Sequence, residues 1–328
     1  MKKKAVVTGG AGFIGSHLVD TLLKKNIMVE VIDNLSTGRI ENLSHVKKEI
    51  RFHNLDLSLK NNLLSEIVND ADYIFHLASL ADIVPSIKHP EVYFKANVEG
   101  TLNLLNSINI DRIKKFVYAA SSSCYGLAKV IPTPETADII PEYPYALTKF
   151  LGEELVMHWS KVYKLRAIST RFFNVYGTRS RTSGTYGAVF GVFLAQKLSN
   201  KPLTIVGNGS QKRDFTYVTD VCEGLYLAAT SKFVSDIFNI GSGNPQSVNY
   251  LAKLIGGDTI NIPKRPGEPD ITHADIEKAK SLLGFNSKVS FEEGVKKVLA
   301  NIDYWKNAPV WTPDSISKET KEWFEYLS

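Results

Sequence analysis

Tyr145 and Lys149 stand four residues apart in Pro144-Tyr145-Ala146-Leu147-Thr148-Lys149, a segment that opens an amphipathic helical pattern. Residues at that spacing share a helix face, so phenol and ammonium point the same way. A positive charge beside a phenol favours phenolate and turns a poor base into a usable one near neutral pH. Such pairs occur by chance in long helices, and this one gains meaning from what lies upstream. Thr8-Gly9-Gly10-Ala11-Gly12-Phe13-Ile14-Gly15-Ser16 follows a short apolar run and opens another helical pattern. Gly10, Gly12 and Gly15 have the spacing of a dinucleotide-binding turn, in which glycines allow a tight turn and let backbone approach a pyrophosphate. The helix N-terminus behind them offers free amides and a positive dipole end.

Asp33 closes the next apolar run, about 20 residues beyond the turn, where a carboxylate accepts hydrogen bonds from ribose hydroxyls and repels a 2′-phosphate. NAD is therefore expected over NADP, with Arg39 nearby working against that preference. Asp56, in Asn54-Leu55-Asp56-Leu57, serves either the adenine edge or the cap of the following helix.

The elements that must position these residues alternate strand and helix, the pattern of a parallel sheet covered by helices. Strands are predicted at Lys4–Thr8, Met28–Asp33, Ile50–His53, Tyr73–His76, Phe116–Ala120 and Arg166–Phe172, with helices at Phe13–Lys25, Asn61–Val68, Pro90–Ile108 and Tyr145–Tyr163. The expected fold class is α/β: a Rossmann-like doubly wound parallel sheet with a smaller mixed α/β substrate domain. Residues 1–175 form the dinucleotide-binding domain, 215–240 return to it, and 176–328 mainly form the second domain. Thr178–Gly187 reads as a polar loop, Thr219–Thr230 and Ser290–Tyr304 as helices, and Asp236–Ile240 as a strand.

Composition bounds the rest. With 328 residues, 44% hydrophobic and 22% charged, the chain is an ordinary globular sequence of about two domains. The net charge of +5 suits an anionic substrate. No apolar run reaches membrane-spanning length. Behind Met1-Lys2-Lys3-Lys4, Gly9-Gly10 interrupts the apolar stretch too soon for a signal peptide. Two cysteines, Cys124 and Cys222, support neither a disulfide framework nor a metal site. The cytoplasm is the expected compartment, and nucleic acid and membrane are not expected partners.

In this order, Thr8–Gly15, Asp33, His76-Leu77-Ala78-Ser79, Asn97, Ser121-Ser122-Ser123-Cys124-Tyr125-Gly126, Tyr145…Lys149 and Arg171-Phe172-Phe173-Asn174 resemble the extended short-chain dehydrogenase/reductase family, and within it the nucleotide-sugar epimerases and dehydratases. The resemblance covers nearly the whole chain; Ser79 departs from the family's usual alanine. It implies that Tyr145 transfers the proton, that Lys149 holds the nicotinamide ribose and lowers the Tyr145 pKa, and that Ser121 hydrogen-bonds the reacting oxygen. By the same resemblance NAD is held by Gly9, Gly12, Phe13, Ile14, Gly15, Asp33, Asn34, Asp56, Leu57, Leu77, Ala78, Asn97 and Lys149. The sugar nucleotide is held by Ser122, Ser123, Tyr145 and Asn174, with Arg213 and Arg265 clamping the diphosphate, as bidentate guanidinium groups do well.

Members that dehydrate or decarboxylate the sugar carry a carboxylate just after the catalytic Ser/Thr. Here those positions are Ser122, Ser123 and Cys124, which points to a 4-epimerase. Thr272 occupies a sugar-pocket position where tyrosine restricts the site to plain hexoses, and its small size leaves room for an acetamido group. UDP-GlcNAc/UDP-GalNAc is the expected substrate pair, with UDP-Glc/UDP-Gal beside it. A UDP-glucuronate 4-epimerase, a 4-keto sugar reductase and a non-catalytic dinucleotide sensor stand as alternatives. The resemblance further implies a homodimer paired through a four-helix bundle. His76 reads as a packed core residue and Cys124 as an apolar filler. Trp311 through Leu327 reads as a capped helix with Ile316, Trp323, Phe324 and Leu327 on one face.

Overall fold

The computed structural model describes residues 2–182 and 186–327. Strands β1 (Lys4–Thr8), β2 (Met28–Asp33), β3 (Ile50–Asn54), β4 (Tyr73–His76), β5 (Lys115–Ser121) and β6 (Ala167–Phe172) join an edge strand, Ser235–Ile240, in one sheet. Its order is edge strand, β6, β5, β4, β1, β2, β3, and every pairing is parallel. Helices cover both faces, which is why β1 and β4 are buried along their whole length and read as continuous runs instead of alternating ones. The strand order reverses between β1 and β4, so a crevice opens beyond their carboxyl ends. The glycine turn after β1 and the Leu77–Ser79 segment after β4 form its floor.

The helix Pro144–Tyr163 lies on β5 and β6. A Cβ at Gly152 would stand 2.2 Å from the Tyr118 hydroxyl, so glycine sets the closeness of that helix to the sheet. Below it a buried ion pair fastens helix to strand. Arg171 on β6 donates from Nε to both Glu153 oxygens at 3.1 Å and from Nη2 at 2.5 Å, while the Ser169 hydroxyl donates to Glu153 at 2.6 Å.

Two expected helices divide. The predicted Pro90–Ile108 helix runs as Pro90–Phe94, a wide π turn at Lys95–Glu99, then Gly100–Ser107. The π turn brings Asn97 inward, where its carboxamide bonds the backbone of Leu80 and the Thr148 hydroxyl. The predicted C-terminal helix is two short ones, Pro313–Glu319 and Lys321–Tyr326, parted at Thr320. Thr312 and Ser315 form a capping box on the first. Within the Thr178–Gly187 loop, residues 183–185 lie outside the described residues. Among the described residues no helix is long and apolar enough to cross a membrane.

Replacing one partner of a fully buried pair strands the other charge, which costs about 3 kcal/mol or more. Glu153→Gln should therefore lower the unfolding free energy by about that amount in urea titration, and adding Arg171→Met should restore part of it.

Candidate active site

Beyond the crevice a single cavity of about 680 Å³ collects residues from the whole chain. It is lined by the glycine turn, Asp33, Asn34, Asp56, Leu57, Leu77 and Ala78 at one end. Ser121, Ser122, Ser123, Tyr145 and Lys149 lie in the middle, and Asn174, Arg213, Arg265 and Thr272 at the other end. Asn97 is the sequence candidate that does not line it: it is buried, and its carboxamide is spent bracing Leu80 against the helix bearing Tyr145.

The glycine turn is shaped by contacts that exclude side chains. A Cβ at Gly15 would lie 2.1 Å from the Gly9 carbonyl, and Gly9, at φ +69°, would meet Ala78 backbone at 2.7 Å. At Gly12, by contrast, a Cβ would have one neighbour within 4 Å, the Gly9 carbonyl at 3.1 Å, so that face opens on the cavity. No side chain caps the Phe13–Lys24 helix. A bare helix N-terminus facing open space fits a pyrophosphate. Asp33 is buried beside it, and its carboxylate accepts from the Ala11 amide at 2.9 Å and the Leu35 amide at 2.8 Å. Burial pushes that carboxyl up against the pull of these two amides, so a ribose offering hydroxyl donors would favour its charged form.

Asp56 turns back on Ser58, accepting from its amide at 2.8 Å and its hydroxyl at 2.7 Å. Burial works against its charge, but Ser58, Asn34 and Lys95 together hold the carboxyl below its usual range. The helix that follows is capped by Asn61 and not by Asp56. His76 ends β4 with both ring nitrogens bonded, to Thr8 at 2.7 Å and Thr101 at 2.9 Å. Burial, aided by the Lys149 charge, brings its imidazole down to about 3, so it is a neutral strut between strand and helix.

The reactive centre is a chain of hydroxyls. Ser121 ends β5, and its Oγ accepts from the Ser123 hydroxyl at 2.8 Å and the Ser123 amide at 3.2 Å. Both serines hydrogen-bond the Tyr145 phenol. Burial pushes the phenol up, these hydroxyls draw it part of the way back, and Cys124 adds a small upward push. The expected lowering of Tyr145 by the lysine is not what the chain alone produces. The Lys149 amine lies 4.5 Å from the Tyr118 ring centre, and burial brings it down to about 7 despite the Glu153 charge. Cys124 is buried and its thiol pushed up to about 12, which leaves it inert.

At the far end Glu268 spans the two arginines. Arg213 donates from Nη2 to it at 2.9 Å and from Nη1 to the carbonyls of Lys212 and Pro269, and Arg265 Nη1 lies 3.9 Å from it. Asp214, wholly buried, accepts from Ser242, Gly243 and Ala274 and so fixes the strand that carries Arg213. Thr272 does more than leave space. Its hydroxyl donates to Asn174 Oδ1 at 2.7 Å and accepts from the Asp214 amide at 3.2 Å.

Sequence reasoning missed Glu142, Tyr143, Tyr186, Gln211, Phe193 and Trp323, which also line the cavity. Tyr186 and Gln211 sit in glycine-containing loops and Glu142 and Tyr143 directly before the Tyr145 helix, where they carry no signal of their own, while Phe193 and Trp323 are brought in by the approach of distant segments. Among the described residues, no group of three or more His, Cys, Asp or Glu could hold a metal ion.

A parallel sheet with a glycine turn at its switch point and a serine–tyrosine–lysine centre define a dinucleotide-dependent enzyme of the short-chain dehydrogenase/reductase type. The chain belongs to the family described as GDP-mannose 4,6 dehydratase, whose model matches residues 6–298, among the NAD-dependent nucleotide-sugar epimerases and dehydratases. A UDP-glucose 4-epimerase of Thermotoga maritima, solved with UDP-glucose, is 34% identical with a TM-score of 0.84, covering 93% of this chain and 99% of that one. A UDP-N-acetylglucosamine 4-epimerase of Methanobrevibacter ruminantium is 32% identical, TM-score 0.84, over 92% of this chain and 100% of that one. A UDP-glucuronic acid 4-epimerase of Bacillus cereus, solved with UDP-glucuronic acid and NAD, is 32% identical, TM-score 0.84, over 93% and 99%. Relatives also include UDP-glucuronic acid decarboxylases.

Burial of the amine makes the stability of the chain depend on pH. Lys149 binds its proton near pH 10.5 when unfolded and near 7 when folded. Between those values the unfolded chain holds the extra proton, so the burial cost is full below pH 7 and eases as pH rises. Lys149→Met should raise the melting temperature of the cofactor-free chain more at pH 6 than at pH 9.

Proposed function

We propose that this chain is an NAD-dependent 4-epimerase of UDP-sugars, interconverting UDP-GlcNAc and UDP-GalNAc, with UDP-glucose and UDP-galactose as a second pair. The observation that carries this reading is the hydroxyl chain Ser123–Ser121–Tyr145 over Lys149, with Ser122, Ser123 and Cys124 where a dehydratase or decarboxylase needs a carboxylate. Tyr145 takes the proton of the sugar C4 hydroxyl while the Ser121 hydroxyl bonds the same oxygen, and Lys149, drawn to its charged form by a cofactor ribose that accepts from it, favours phenolate. NAD, bound along the glycine turn and Asp33, supplies the hydride acceptor at C4 and the hydride that returns. Asn174, Arg213 and Arg265 hold the diphosphate while the 4-keto hexose turns over, and Tyr145 gives its proton back after the other face is reduced.

The acetamido preference rests on the small side chain of Thr272 at the cavity wall. A UDP-glucuronate 4-epimerase is the second reading, supported by the B. cereus neighbour. Val92, Phe94 and Leu147, all more than 40% exposed on adjacent helices, support pairing of two copies there.

The deciding experiment incubates the purified protein with UDP-, GDP- and dTDP-sugars without added cofactor and separates C4 epimers. Appearance of UDP-GalNAc from UDP-GlcNAc is expected; a requirement for external NAD(P)H with release of a reduced sugar would overturn the proposal. Tyr145→Phe should keep its bound cofactor and lose about 100-fold or more in turnover. Thr272→Tyr should abolish acetamido turnover and spare the plain hexoses. Thr272→Val, which removes the hydroxyl that bonds Asn174 and accepts from the Asp214 amide, should raise KM for both pairs alike.

A further inference from the structure

The family model ends at residue 298, yet the chain beyond it returns to the cavity. Lys88 binds Glu319 at 3.1 Å and Glu322 at 3.9 Å, drawing the two C-terminal helices onto the Ile83–Lys88 helix beside the site. The Lys321–Tyr326 helix then buries Trp323 against the loop that carries Arg265. The Trp323 indole Nε1 donates to the Pro266 carbonyl at 2.8 Å, and its ring lies 6.2 Å from that of Tyr143, which stacks on Tyr145. The Arg265 guanidinium carbon is 5.4 Å from the Trp323 ring centre and 4.7 Å from that of Tyr186. Trp311, held through its carbonyl by Gln196, supports Tyr186 edge-on.

Arg265 is thus placed by two aromatic faces and the Tyr186 hydroxyl, with its carboxylate neighbour Glu268 no nearer than salt-bridge range at 3.9 Å. A guanidinium held by ring faces and one hydroxyl commits only one of its in-plane N–H donors, and the others stay available for a planar contact with an anion.

We infer that Trp323, outside the segment matched by the family model, is a positioning residue for nucleoside-diphosphate binding: it orients Arg265 and anchors the Pro266 loop. This rests on the nucleotide-sugar reading above and assigns the C-terminal helices a role in substrate binding.

The test measures UDP binding by calorimetry and UDP-sugar kinetics for Trp323→Leu and Trp323→Phe. Loss of the cation–π contact in Trp323→Leu should weaken UDP binding about three- to tenfold, equivalent to about 0.65–1.4 kcal/mol, and raise KM with kcat little changed. NAD affinity should stay as in the parent. Trp323→Phe, which keeps a ring over the guanidinium, should recover most of the loss, and it is the deciding variant if leucine lowers the melting temperature. In an Arg265→Ala background, Trp323→Leu should add almost nothing, because the group it orients is gone. Parent-like UDP binding by both variants would overturn the inference, as would an undiminished effect of Trp323→Leu in the Arg265→Ala background. A parent that binds UDP but epimerises nothing defeats the epimerase reading while these ratios still decide the role of Trp323. A parent that binds no nucleoside diphosphate defeats both.

Discussion

The buried pair of Glu153 and Arg171 is the constraint on which the site depends. Two opposite charges removed from water are tolerable only with close geometry and every remaining polar atom satisfied. Here the guanidinium also reaches the Tyr125 hydroxyl at 2.9 Å and the Glu135 carbonyl at 3.1 Å. Tyr125 passes the connection to Asn239 on the edge strand at 2.7 Å, and Glu135 accepts from the Asn239 amide. One network therefore ties the helix of Tyr145 and Lys149 to β6, to the segment after β5 and to the sheet edge. Proton transfer needs Ser121 and Tyr145 in a fixed relation, and these are the elements that carry them.

The same network has an electrostatic consequence. Glu153 sits one helical turn beyond Lys149 and supports its ammonium, but most of its charge is committed to Arg171, and burial prevails at the amine. The centre is left with a phenol held high and an amine held low, two groups poised on either side of their ordinary values. A ribose accepting hydrogen bonds from Lys149 would favour its charged form and, through it, the Tyr145 phenolate. Cofactor binding and proton chemistry would in this way be coupled at one side chain.

At the opposite end the logic is charge and shape. Glu268 keeps two arginines together, Asp214 fixes the strand beneath them, and Thr272 and Asn174 form a polar edge to the sugar side. Aromatic rings from the Tyr186 loop and the C-terminal helix complete the wall around Arg265. A nucleoside diphosphate would find rigid donors at this end and hydroxyls near the centre. A sugar between them would be left the freedom to turn.

Much of this was legible in sequence because it is local. The glycine turn, the strand and helix periods, Asp33, and the Tyr145–Lys149 spacing each depend on a handful of adjacent residues and on backbone geometry that any such segment adopts. What tertiary structure alone decided are the relations between distant segments. Asn97, readable as a cofactor contact, became a brace when a π turn directed it at Leu80 and Thr148. Lys149 passed from ammonium donor to a buried amine over Tyr118, because desolvation depends on everything packed around it. The C-terminal pattern promised one amphipathic helix; its break at Thr320 lets Trp323 face Arg265, far upstream in the chain. Periodicity records which face of a segment is apolar, but not which surface it meets, and burial, pKa and hydrogen-bond partners are set at that meeting.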